Sequence, residues 1–147
     1  MWRSPDALKT AIARALGAAD AMYAGYVAPP PRVYAGFSRG AILGASIVEE
    51  APATYPYAIF LEGFGDVAAP RFARAFHDGG GRRILFGCSR AGCEAPRRPL
   101  VAALDGGGID ARIAYAGNVG HTVDAAVIAS VQRELVWLLA DDPRFTP

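Results

Sequence analysis

The run Tyr57-Ala58-Ile59-Phe60-Leu61 constrains this chain most. Five apolar residues in succession, entered from Pro56, ended by Glu62 and left through the loop Gly63-Phe64-Gly65-Asp66, read as a strand buried on both faces. Strands of that kind belong to parallel sheets covered by helices. Arg32–Phe37 and Arg83–Gly87 read as two more such strands. A fourth differs: Ile109, Ala111, Ile113 and Tyr115 alternate with Asp110 and Arg112, which predicts a half-exposed strand at a sheet edge.

Helical periodicity fills the gaps between these strands. Ser4-Pro5-Asp6 gives an N-cap, a proline suited to the first turn and a dipole-favourable acid. Leu8, Ile12, Leu16, Ala19, Tyr23 and Tyr26 then recur at helical spacing, predicting about twenty residues of helix that end before Pro29-Pro30-Pro31. Further helices are expected from Ser38 through Val48, from Pro70 through Phe76, from Pro96 to Asp105 and from Val123 to Ala140. Gly79–Gly81 and Gly106–Gly108 follow helices and precede strands, so they read as helix stops rather than phosphate-binding loops. The predicted fold is α/β: a single domain with a parallel sheet of about four strands and helices on both faces.

Composition narrows the functional classes. At 147 residues and 52% apolar, the chain is expected to bury a core without staples. A net charge of +1 gives no basic excess for nucleic acid or a membrane surface, and no apolar run approaches the roughly twenty residues of a membrane span. The N-terminus has no apolar signal segment, which makes the cytoplasm the default expectation. The two cysteines, Cys88 and Cys93, are spaced for either a small disulfide loop or two free thiols. With only His77 and His121 to join them, no metal and no cofactor is expected.

In a parallel α/β sheet, ligand-handling residues sit in loops leaving the carboxyl ends of the strands. Those loops carry Ser38, then the acids Glu62, Asp66 and Glu94, then His121. Gly36-Phe37-Ser38-Arg39-Gly40 fits G-x-S-x-G between an apolar strand and a buried helix. A sharp turn there would expose the Ser38 hydroxyl, with Gly36 and Gly40 both expected to avoid collisions. The Arg39 N–H is placed to hold a developing oxyanion. His121, after the last strand, is placed as a general base, while His77 reads as structural at a helix end.

With these segments the chain resembles the C-terminal half of the α/β-hydrolase family, from the elbow Gly36–Ala41 through Cys88–Pro96 to Gly120-His121-Thr122. The resemblance covers nearly the whole chain. It implies an esterase- or lipase-like serine hydrolase with Ser38 as nucleophile and His121 as base, acting on a small-molecule ester or other acyl compound. The family's usual acid position falls at Gly92 or Cys93, with Glu94 close by. Some members take the acid from the preceding loop, and Asp66 is the leading expectation on that basis. Glu62 ranks below both because it reads as the end of its strand. Phe37, Phe64 and Val119 are expected to flank the site.

The family's early strands, and the loop giving a second oxyanion donor, have no counterpart here. The edge at Arg32–Phe37 would then be unpaired. A homodimer, or a missing N-terminal half, is expected to cover it, with the long first helix shielding part. The second expectation is a degenerate hydrolase domain acting as a non-catalytic binding or assembly module.

Overall fold

The computed structural model describes residues 4–26, 29–68 and 70–144. Helix α1 (Pro5–Met22) starts at the Ser4 cap, whose hydroxyl accepts from the Ala7 N–H. There follow β1 (Val33–Phe37), α2 (Arg39–Glu50), β2 (Tyr57–Leu61), a 3-10 turn (Gly65–Ala68) and α3 (Pro70–Asp78). Then come β3 (Arg83–Cys88), α4 (Arg98–Gly106), β4 (Asp110–Tyr115) and α5 (Ala125–Leu138). The four strands pair in parallel in the order β1-β2-β3-β4. This is the α/β arrangement that the buried strands require.

The register explains the two faces. Tyr34, Ala58, Phe60, Ile84, Phe86 and Ala111 point into the larger core, against residues of α1, α2, α3 and α4. Tyr57, Ile59, Leu85 and Ala114 point the other way, toward Leu138, Val131 and Leu135 of α5. Helices therefore lie on both faces, but unevenly. Helix α5 covers β3 and β4, and Ala35 of β1 is left exposed.

Three local expectations change. Helix α1 stops at Met22, and Tyr23 and Tyr26 are exposed rather than core-facing. Only Leu8 of α1 is buried; the helix packs on α2, where Lys9 bridges Asp6 and Glu50. Its length therefore follows from good helix formers more than from burial. Because α1 lies on α2, it does not run along β1, whose outer side has no strand partner among the described residues. On β4 the alternation is imperfect: Ala114 is buried beneath α5 and Tyr115 is exposed.

At the amino ends of the strands, Arg83 fastens α5 to the sheet. Its guanidinium donates to the Trp137 carbonyl at 2.9 Å and pairs with Asp141 at 2.7 Å. Asp124 caps the other end of α5, accepting from the Ala126 and Val127 N–H groups at 3.0 Å each. The last helix, and with it the loop before it, is thus fixed at both ends. No helix among the described residues is long and apolar enough to cross a membrane.

Phe60 is fully buried and tilts against Phe86 and Tyr34, with ring centroids 6.1 Å away in both pairs. Phe60→Ala should cost about 3–5 kcal/mol in urea unfolding. Val136→Ala, at a position 84% exposed, should change stability by less than about 0.5 kcal/mol.

Candidate active site

Strand β1 delivers Ser38 directly into the first turn of α2. The serine takes φ 51° and ψ −115°, a region sparsely allowed to a residue with a Cβ. Its neighbours hold it there: the Ser38 N–H donates to the Leu61 carbonyl at 2.7 Å, and the Ser38 carbonyl accepts from Ile42 at 3.0 Å. Gly36 is required because a Cβ there would lie 2.7 Å from the Gly40 backbone. Gly40 is not required on that ground: a Cβ would meet nothing within 4 Å. Its carbonyl instead accepts the Tyr34 hydroxyl at 2.7 Å, which ties the helix start to β1.

Directly after β2, Glu62 is the other non-glycine residue with positive φ among the described residues, at 54°. Strained backbone of this kind costs of order 1–3 kcal/mol per residue and collects at functional sites. Gly63 follows it because a Cβ there would come 2.7 Å from the Ser38 carbonyl. The bend at Glu62-Gly63 therefore passes close to the strained serine.

The Glu62 side chain is only 2% exposed. Its Oε1 accepts from the Ser89 N–H at 2.5 Å and from the Ser89 hydroxyl at 2.9 Å; its Oε2 accepts from Arg90 Nε at 2.7 Å. Burial pushes this carboxyl up, but the Ser89 N–H, the Arg90 guanidinium and the Ser89 hydroxyl together outweigh burial. The group is held below its ordinary value.

His121 completes the arrangement. Its Nε2 lies 2.9 Å from Ser38 Oγ, and its Nδ1 lies 3.6 Å from Glu62 Oε2. The ring rests on Phe37, with centroids 4.7 Å apart. Its loop is tied to Ser89, whose carbonyl accepts from Val119 at 2.9 Å and Gly120 at 3.0 Å. Asn118 adds a bond through its Oδ1 from the Ala91 N–H at 3.1 Å.

Cys88 and Cys93 form a disulfide that closes the segment carrying Ser89 and Arg90. Cys93 Sγ touches Glu62 Oε1 at 3.5 Å. Behind it, buried Arg97 donates to the Cys93 carbonyl at 2.7 Å and lies over Phe64 at 5.3 Å.

The structure brings Ser38 and His121 together but puts Glu62, not Asp66, beside the imidazole. Asp66 is exposed in the 3-10 turn and makes no ion pair among the described residues. The positive-φ bend at Glu62 comes first after β2, so the first acid leaving the strand takes the place at the imidazole and Asp66 falls in the turn beyond it. Glu94 does not pair with His121 either; its carbonyl accepts from Arg97 at 2.9 Å and Arg98 at 3.1 Å at the entry to α4. Phe64 packs on the larger core and beneath Arg97. The first turn of α2 leaves the Arg39 N–H without an intrahelical acceptor, directly after Ser38. Ser89 and Arg90 were not expected to matter; a serine and an arginine between two nearby cysteines gave the only signal.

The constellation can pass a proton from a serine hydroxyl to an imidazole, with a buried carboxylate nearby to favour the imidazolium. Among the described residues no group of three His, Cys, Asp or Glu side chains could hold a metal ion. No family model, curated protein or solved structure matches the chain.

Two outcomes follow. Gly36→Ala should destabilise the fold and disturb the elbow, whereas Gly40→Ala should be tolerated or slightly stabilising; thermal melts of the two proteins compare them directly. Glu62 should also mark the pH dependence of stability. A carboxyl lowered from 4.5 contributes fully above that value, and the contribution disappears as pH falls through the folded-state pKa. The stability gap between wild type and Glu62→Gln, measured by denaturant titration, should therefore be wider at pH 7 than at pH 3.

Proposed function

We propose that this protein is a serine hydrolase of the α/β-hydrolase type, acting on an ester or other acyl bond. The observation that carries the reading is the 2.9 Å approach of His121 Nε2 to Ser38 Oγ on a serine held at positive φ. A strained strand-to-helix turn is how that family exposes its nucleophile. Support also comes from the parallel order β1-β2-β3-β4, which places Ser38, Glu62 and His121 in loops at the carboxyl ends of β1, β2 and β4.

In this mechanism His121 Nε2 takes the Ser38 proton as Oγ attacks the acyl carbon. The carbonyl oxygen becomes an oxyanion held by the Arg39 N–H. Collapse breaks the bond to the leaving oxygen, which receives the proton from the imidazolium and departs as an alcohol. Water then repeats the sequence against the acyl-serine, releasing the acid and restoring the Ser38 hydroxyl. Glu62 orients the ring and stabilises its cationic form, the role that the sequence had suggested for Asp66.

One observation favours a second reading, that of a non-catalytic assembly module: the outer side of β1 has no strand partner among the described residues, and Ala35 is exposed. Unpaired edges invite strand addition from another chain, and a homodimer or a further segment would satisfy the edge in either reading.

A fluorophosphonate probe, which reacts with activated serines, separates the two. Stoichiometric labelling mapped to Ser38 by mass spectrometry is expected. It should disappear in Ser38→Ala and fall at least 100-fold in rate in His121→Ala. Absence of labelling in a folded sample would refute the hydrolase reading and leave the module.

A further inference from the structure

Glu62 Oε2 faces two donors, and Arg90 has the better of it. Arg90 Nε lies 2.7 Å from that oxygen, within charge-assisted hydrogen-bond range, while His121 Nδ1 stands at 3.6 Å, beyond a hydrogen bond. The other carboxylate oxygen is already occupied by Ser89. In this state the acid is committed to an arginine, and the imidazole lacks its full partner.

Arg90 is not a buried structural cation. Its side chain is 54% exposed, and Nε alone has a protein acceptor among the described residues. The terminal nitrogens have no protein acceptor among the described residues. A guanidinium fork matches the two oxygens of a carboxylate. Arg39, the residue after Ser38, is a second exposed arginine without an ion pair among the described residues.

We propose that Arg90 is a specificity determinant that selects acyl substrates carrying a carboxylate on the acyl chain. The inference rests on the hydrolase reading above. The substrate carboxylate takes Nε and one terminal nitrogen of Arg90 as its fork, and the bond from Nε to Glu62 Oε2 breaks. Glu62, still held by Ser89, then accepts the His121 Nδ1–H at a normal distance of roughly 2.8–2.9 Å. Binding of the correct substrate thereby completes the charge arrangement that orients the base. A neutral substrate leaves Arg90 on Glu62 and meets a less effective imidazole.

The test compares two p-nitrophenyl esters of glutaric acid, one with the distal carboxylate free and one with it capped as the methyl ester. In wild type, kcat/KM is expected to favour the free carboxylate at least tenfold. In Arg90→Ala that preference should vanish while turnover of the capped ester rises, because Glu62 Oε2 passes to His121. Arg90→Lys, which keeps the charge but not the fork, should retain part of the preference. Equal rates for the two esters in wild type would overturn the proposal. So would Arg90→Ala slowing both esters by the same factor, since Arg90 would then only hold the acid in place. Fluorophosphonate labelling of the same samples separates the failures. Normal Ser38 labelling without ester preference removes only the role of Arg90, whereas no labelling in any variant removes the hydrolase reading and the proposal with it.

Discussion

The site depends on Ser89. This residue is almost fully buried, and it joins the β2 exit to the β4 exit. Its N–H serves Glu62 Oε1, and its carbonyl accepts the N–H groups of Val119 and Gly120. The hydroxyl stands between Glu62 Oε1 at 2.9 Å and the Gly120 carbonyl at 2.6 Å. It has one proton for two acceptors. That proton can go to the carboxylate or to the Gly120 carbonyl, one residue before His121, so the hydroxyl couples the two. A single residue thus fixes both the acid and the loop carrying the base.

The strain at Ser38 and Glu62 has the same logic of mutual support. Neither φ is comfortable for a residue with a Cβ, and each could relax if its neighbours moved. Close packing opposes that: Gly36 lets the α2 backbone approach β1, and Gly63 lets the Glu62 bend approach the Ser38 carbonyl. Packing inside the larger core, through Ala41, Ala45 and Phe60, holds those close approaches. Core burial is therefore what maintains the exposed hydroxyl.

Much of this was legible beforehand, because it depends on local pattern. The continuous apolar run of β2 dictated a covered parallel sheet, and the glycines around Ser38 dictated a sharp turn. The loop positions of Ser38 and His121 followed from the element order alone. The acid was not legible. Asp66 has the composition of a free loop residue, whereas Glu62 directly follows a strand, where periodicity assigns it to the strand. Only the positive φ at Glu62, where Gly63 passes close to the Ser38 carbonyl, takes it out of the strand pattern. The role of Gly40 was misjudged similarly: its motif position suggested a steric need, but the space beside it is open. The exposure of Tyr23 and Tyr26 beyond α1 was not legible for another reason, since helical spacing records a face that could be buried, not whether a partner reaches it.

The electrostatics around Glu62 bear on how such a site can remain both stable and reactive. A carboxylate this deeply buried needs compensation, and Ser89 alone supplies dipoles but no charge. Arg90 and the nearby buried Arg97 supply it. A cation that stabilises the carboxylate also competes with the imidazolium that forms when the Ser38 proton is transferred, since both positive charges would share one oxygen. Arg97 is fixed by the Cys93 carbonyl and Phe64, so it cannot leave. Arg90, half in solvent on a disulfide-closed loop, can. Of the two compensating charges, only the half-exposed one is aimed at the oxygen that the base requires.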